Sequence, residues 1–194
     1  MSRITYIIQE FFNKLSKEYN INIPKALIEK VFIYKKIYKG ELICHAEDIQ
    51  KFMYYVHSGL FRYYYINEKG NDITKHFVKQ GDYAVSYLSF IYQIPSAYYI
   101  EAIEDSNVLE IDYTKYITCI ENEPIFGIIA RKYIEYIYQI KEKREAAFLL
   151  YDAKQRYLNF IENNTDICNK IKQKHIASYL GITSETLSRI KRKL

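Results

Sequence analysis

The sequence predicts an α+β chain with three parts: an antiparallel β domain of jelly-roll type with flanking helices, a long helix that pairs with a copy of itself, and a helix-turn-helix at the C-terminal end. Three observations carry this reading. Between Ile33 and Tyr113, short runs rich in Tyr, Ile, Val and Phe are broken by glycine at positions 40, 59, 70 and 81, which is the pattern of short strands with regular turns. From Glu121 to Tyr151 apolar residues recur at helical spacing, with no proline or glycine after Gly127. Residues 173–192 hold two short apolar faces separated by Gly181, the layout of two small helices around a tight turn.

Taken in order, Ile4, Ile7, Ile8, Phe11, Phe12 and Leu15 recur at helical spacing and predict an amphipathic N-terminal helix. Pro24 then permits a second short helix over Lys25–Phe32. In the β region the clearest hairpin joins Phe61–Asn67 to Asp72–Val78, with Gly70 serving the turn. Successive hairpins in one domain predict a jelly-roll-like barrel, a shape that often encloses a small ligand. In the long helix, Phe126, Ala130, Tyr133, Ile137, Ile140, Arg144, Ala147 and Tyr151 step by four and three. Such a seam fits a helix pairing with its own copy, while the rest of the apolar stripe packs on the β domain. Asp152 starts a further helix over Ala153–Ile161, and Asn163–Asp166 is a polar loop.

In the last segment Ile176, Ala177 and Leu180 form one inner face, and Leu187 and Ile190 the other. Ala177 sits where the helices cross, since a larger side chain would separate them. Gly181 supplies a residue that tolerates positive φ, and Thr183 is placed to cap the second helix through its hydroxyl. This is the spacing of a DNA-binding helix-turn-helix, whose second helix enters the major groove.

Charge follows the same division. The 194-residue chain carries a net charge of +5. Residues 1–120 balance 14 basic against 14 acidic side chains, and residues 121–194 hold 14 against 9, so the whole excess lies in the second part. Within residues 167–194 seven basic side chains face Glu185 alone, the footprint expected of a phosphate-contacting surface. Cys44, Cys119 and Cys168 are scattered, in no CxxC arrangement, which argues against a disulfide framework and a structural zinc. No stretch approaches 18 uninterrupted apolar residues, so no membrane span is expected and a cytoplasmic location is the default.

The order of parts and several segments resemble the Crp/Fnr family of bacterial transcription regulators. Lys39-Gly-Glu-Leu-Ile43, Val56-His-Ser-Gly59-Leu-Phe-Arg62, Lys69-Gly70 and Phe77 followed by Gly81-Asp82 are similar to that family's successive turns. Ile100–Ile111 is similar to its last barrel strands, and Ile176–Arg189 resembles its DNA-reading end, especially in Bacteroidetes-type members. The resemblance implies a cyclic-nucleotide-binding-like β-roll (a double-stranded β-helix) over residues 1–120, a dimerisation helix over 121–151, and a winged-helix-like helix-turn-helix domain over 152–194.

It also implies roles. At the positions where relatives open the recognition helix with Arg-Glu and add a second Arg one turn on, this chain has Ser184, Glu185 and Arg189. Glu185 can accept from a cytosine amino group, and Arg189 can donate to guanine O6 and N7. Ser184 replaces the first arginine, so the half-site should differ from the catabolite activator's. Thr183 and Ser188 lie at the same surface, and Lys172, Lys174, Lys191 and Arg192 are assigned to phosphates, which position without specifying.

The effector segment departs from the family pattern. Members that bind cyclic nucleotides hold the phosphate and ribose with a Gly-Glu-Leu segment and a downstream Arg-Ser or Arg-Thr pair. Aligned from Gly81-Asp82, those positions read Val85-Ser86-Tyr87 and Ser96-Ala97. A buried phosphate without a paired cation carries a large desolvation penalty, so cyclic AMP is not expected and no cofactor is assigned. Tyr83, Ser86, Tyr87, Ser89, Ser96, Ala97 and Tyr98 then form a pocket suited to a neutral or aromatic ligand, or to none. His45, His57, His76 and His175 could serve as haem ligands only by residue type. The expected function is a homodimeric, sequence-specific, DNA-binding transcription regulator rather than an enzyme. Its expected partners are double-stranded DNA, a second copy, an unidentified small-molecule effector and, left open, RNA polymerase. A cupin-like barrel enzyme is the alternative from another class, but no two histidines stand two apart as cupin metal chemistry requires. A protein-interaction module with a helix-turn-helix-like end is the third reading.

Overall fold

The computed structural model of the chain describes residues 3–19 and 29–194. It opens with α1 (Arg3–Tyr19), whose Ile7, Ile8 and Phe11 are buried. The side chains of Ile4, Phe12 and Leu15 lie outside the described ones. Residues 29–31 are helical, and the start of the helix expected over 25–32 lies outside the described residues.

Eight strands follow: β1 (Ile33–Ile37), β2 (Leu42–Cys44), β3 (Phe52–Ser58), β4 (Leu60–Ile66), β5 (Asp72–Lys79), β6 (Tyr83–Ala84), β7 (Tyr99–Ala102) and β8 (Ser106–Asp112). A short helix α2 (Tyr87–Tyr92) interrupts them between β6 and β7. They form two four-stranded sheets, ordered β1-β8-β3-β6 and β2-β7-β4-β5, with every pairing antiparallel. The expected jelly roll is present as two sheets rather than one closed barrel. Ile37, Val56, Phe61, Ile100 and Val108 fill the space between them. The predicted hairpin is β4–β5, where Phe61 pairs with Val78 and Ile66 with Asp72. Its turn is held by Asn67, whose side-chain oxygen accepts from the backbone N–H groups of Lys69 and Asn71, both at 3.0 Å, and Gly70 takes φ +74°. Gly59, between β3 and β4, has φ +124°, and a Cβ there would overlap the Ser106 side chain.

α1 and the two helices after β8 pack on the first sheet, and the last three helices pack on β4 and β5 of the second. α3 (Tyr113–Asn122) is capped by Asp112, whose carboxylate accepts from Lys115 N–H at 2.9 Å. The long helix, α4, spans Pro124–Leu150. It starts at Pro124 and not at Glu121, because proline fits the first turn of a helix, where no N–H is required. Phe126 and Ile129 join Ile7, Phe11, Phe32 and Leu109 in a second core. α5 (Ala153–Asn163) opens on a capping box in which Asp152 accepts from Gln155 N–H and the Gln155 side chain accepts from Asp152 N–H; such a cap contributes on the order of 1 kcal/mol. The chain closes with α6 (Gln173–Tyr179) and α7 (Ser184–Arg192). No described strand follows β8, and the described part of the C-terminal unit is the three helices α5, α6 and α7.

Candidate nucleic-acid interface and ligand cavity

The helix-turn-helix forms for the reasons its spacing gave. Ile176, Ala177, Leu180 and Leu187 are buried together with Tyr157, Phe160 and Ile171. Ala177, 1% exposed, lies between the helices, and its carbonyl accepts from Ile182 N–H across the turn at 3.0 Å. Gly181 takes φ +68°, and a Cβ there would press on the Phe148 ring at 2.9 Å. Thr183 caps α7 by accepting from Thr186 N–H at 3.2 Å. With Leu187 turned inward, Ser184, Glu185, Ser188, Arg189 and Arg192 are exposed on α7, and Lys172 and Lys174 are exposed at the start of α6. Arg189 rests 3.3 Å from the Thr186 hydroxyl. The backbone N–H groups and Thr183 hydroxyl at the α7 N-terminus hold the Glu185 carboxyl below its ordinary range. At neutral pH that side chain is an acceptor.

The opposite side of this unit is docked on the β-roll. Phe77 of β5 packs against Phe160 and Tyr179, with ring centroids 6.2 and 5.5 Å away. Ser178 accepts from Thr74 N–H at 2.8 Å. Beneath them Arg62, 3% exposed, donates to Asp72 at 3.0 Å and to Glu101 at 3.2 Å, and lies 2.9 Å from His175 Nδ1. Arg144 of α4 donates to the Tyr179 carbonyl at 3.0 Å, and Arg156 to the Leu180 carbonyl at 3.1 Å. These last two arginines satisfy carbonyls at the end of α6 that the helix itself leaves open.

Between the β-roll and α4 lies a cavity of about 250 Å³. Tyr63, Lys75, His76, Tyr83, Tyr87 and Tyr98 line it from the roll. Tyr133, Ile137, Ile140, Lys141 and Arg144 line it from the helix. The residues expected to form a seam with a second copy are thus committed inside the protomer. Phe126 is buried in the core beside Ala130, Tyr133 donates to or accepts from the backbone of Tyr83 (3.0 Å to its N–H), and Ile137 and Ile140 face the cavity. Of the apolar side chains that α4 leaves exposed, Ile134 and Tyr138 also border the cavity, whereas Ile128, Tyr136, Phe148, Leu149 and Leu150 lie away from it.

The expected pocket residues divide. Tyr83, Tyr87 and Tyr98 do line the cavity. Ser86 and Ser96 are brought together, but their hydroxyls bond each other at 2.8 Å, and Ser96 also lies 2.8 Å from the Tyr98 carbonyl. Ser89 is buried and accepts from Gln50 N–H at 2.8 Å, while Ala97 is exposed. The serines therefore close the loops around α2 and do not present hydroxyls to a ligand.

What the tyrosine and serine pattern did not anticipate is the charge. Lys75 lies 3.5 Å from the centroid of the Tyr98 ring. Burial, with Lys141 and Arg144 nearby, lowers its pKa to about 8. The same causes, burial first and then Arg144, Lys75 and Lys141, take His76 down to about 4, so it is neutral at pH 7. Arg144 Nε is buried without a hydrogen-bond partner. Nothing local in the sequence marks Lys75: it sits in a strand, where a lysine ordinarily faces water.

Residues 34–123 match the family model described as the cyclic nucleotide-binding domain. No curated protein sequence matches the chain. Among solved structures, FixK2 from Bradyrhizobium japonicum superposes with a TM-score of 0.72 at 19% identity, covering 84% of each chain. A protein from Eubacterium rectale described as a transcriptional regulator of the crp/fnr family gives 0.71 at 21%, covering 95% of this chain and 87% of that one. A variant of CooA from Carboxydothermus hydrogenoformans gives 0.68 at 17%, covering 92% and 82%. At these identities the likeness is one of fold, and it extends through the roll, the long helix and the helix-turn-helix.

Proposed function

We propose that this chain, with its cyclic nucleotide-binding domain and its Crp/Fnr fold, is a homodimeric transcription regulator that reads DNA through α7 and is switched by a ligand other than a cyclic nucleotide. The observation that carries the reading is the exposed face of the helix-turn-helix. Arg189, Arg192, Lys172 and Lys174 all reach solvent there, on a unit whose inner face is fully packed. A helical hairpin built only to pack would have no reason to gather the chain's whole basic excess on its outer side.

The dimer reading is supported by apolar side chains that α4 leaves exposed away from the cavity, among them Ile128 and Tyr136, 39% and 46% exposed. Two recognition helices on one dimer would read half-sites about one DNA turn apart. The case against a cyclic nucleotide is the Ser86–Ser96 pair. Each hydroxyl satisfies the other where a carboxylate and a guanidinium would be needed. Selection of bound duplexes from a random pool, followed by anisotropy titration of the enriched and scrambled sequences, tests the proposal. A two-fold symmetric site bound at least a thousandfold more tightly than scrambled DNA is expected, and equal affinity for both would overturn it.

A further inference from the structure

We infer that the cavity between the β-roll and α4 binds a small aromatic carboxylate, its ring among the tyrosines and its charge between Lys75, Lys141 and Arg144. The inference rests on reading this cavity as the regulator's effector site, and it replaces the neutral ligand that the tyrosines and serines alone suggest.

The charge balance comes first. Lys75, Lys141 and Arg144 face Asp82 alone among the described lining residues, and none of the three makes an ion pair among those residues. Three cations gathered in a recess with one acid repel one another and lose hydration, a cost that an incoming anion offsets. Lys75 reports this cost directly, since its Nζ has a ring face for company where a carboxylate would be the usual partner. Arg144 Nε is a second donor in want of an acceptor, and a buried donor left unpaired is costly.

The shape and lining choose the rest of the ligand. Tyr63 and Tyr98 stack with centroids 5.5 Å apart at 20°, and Tyr83 and Tyr133 meet edge to face at 4.7 Å. These flat walls suit a flat ring, and the volume leaves room for one or two fused rings. A cyclic nucleotide shares a flat ring and an anion, but it also brings a ribose, and the segment that would hold the ribose is closed by Ser86 and Ser96.

The test is calorimetric titration of the full chain with 1-naphthoate, its neutral amide 1-naphthamide, and cyclic AMP. Naphthoate should bind at least tenfold more tightly than the amide. Lys141→Gln, at an exposed position that leaves the fold alone, should weaken the acid about tenfold and leave the amide unchanged. At pH 8 binding should take up about half a proton, because an anion beside Lys75 raises a pKa that starts near 8. Amide and acid binding equally, cyclic AMP binding more tightly than the acid, or no saturation by naphthoate up to millimolar concentration would each overturn the inference. DNA anisotropy on the same samples keeps the two readings apart. Naphthoate failing while sequence-specific DNA binding persists removes the ligand class and leaves the regulator. The converse keeps the anion site and removes the regulator.

Discussion

Arg62 Nη1 lies 2.9 Å from His175 Nδ1, with a strand of the β-roll on one side and the first helix of the helix-turn-helix on the other. A guanidinium can only donate, so His175 must accept through Nδ1 and carry its proton on Nε2. Burial, and then the Arg62 charge, holds the His175 pKa down to about 4, although Asp72 pulls the other way. The contact that docks the helix-turn-helix on the roll therefore needs a neutral imidazole.

A pH dependence follows. In the unfolded or undocked chain His175 titrates near 6.5, and in the docked state near 4. The undocked state thus binds more protons between those values, so docking is fully stabilised above about pH 6.5 and is lost progressively as the pH falls toward 4. His76, also held near 4, adds a loss of the same sign within the roll. Hydrogen exchange over Gln173–Tyr179, corrected for intrinsic rates, should show weaker protection at pH 5 than at pH 7. His175→Gln should flatten that difference. Protection independent of pH in the native chain would rule the contact out as a docking element.

The exposed residues of α7 and α6 should separate by kind of contact. Arg189→Ala is expected to cost about 1–3 kcal/mol on the preferred site and to relax the preference at one base pair. Lys174→Ala should weaken binding to all duplexes alike and reduce the slope of log K against log salt by about 1. Anisotropy titrations at several salt concentrations on specific and random DNA check both. An equal loss on the two duplexes for Arg189→Ala would contradict its assignment to a base.

The two faces of α4 should fail differently. Ile128→Glu, on the side away from the cavity, is expected to give a monomer with the roll's thermal stability retained, as read by light scattering and melting. Ile137→Ala, on the cavity side, should lower the melting temperature without directly parting the subunits, because it removes apolar packing beside the tyrosines. A dimer that survives Ile128→Glu but dissociates on Ile137→Ala would return the seam to the face read from periodicity.

Gly59 and Gly40 give a control pair for the roll. Both have positive φ, at +124° and +84°, but only Gly59 faces another side chain, that of buried Ser106. Gly40→Ala should cost about 1 kcal/mol, the strain of a left-handed alanine. Gly59→Ala adds overpacking and should cost on the order of 3 kcal/mol. Equal shifts in urea denaturation would show that the Ser106 contact relaxes freely.

The parts of this molecule governed by local rules were legible in the chain. The β4–β5 hairpin follows from Asn67 and Gly70, the start of α7 from Thr183, and the turn before it from Gly181. Which surface an apolar stripe meets is a different kind of fact. Tyr133, Ile137 and Ile140 repeat with the period of a coiled-coil seam, yet a helix lying on its own β-roll needs the same period. Ser86 and Ser96 stand out in the sequence, but that their hydroxyls face each other depends on how the loops around α2 fold back. Lys75 and Arg144 are 69 positions apart in sequence, and only the packing of α4 across the second sheet brings them to one cavity. Long-range convergence of that kind leaves no periodic trace.

Arg144 belongs to two surfaces at once. It lines the cavity, and its Nη2 donates to the carbonyl of Tyr179 at the end of α6, with the same tyrosine's ring 4.4 Å from its guanidinium carbon. Equilibrium linkage makes such a shared residue symmetric: the factor by which a cavity ligand changes affinity for DNA is the factor by which DNA changes affinity for the ligand. On the proposed function, specific DNA would then itself act as an effector of the cavity. Filling of the cavity, measured with and without a saturating specific duplex, would report the strength of the coupling without any assay of transcription.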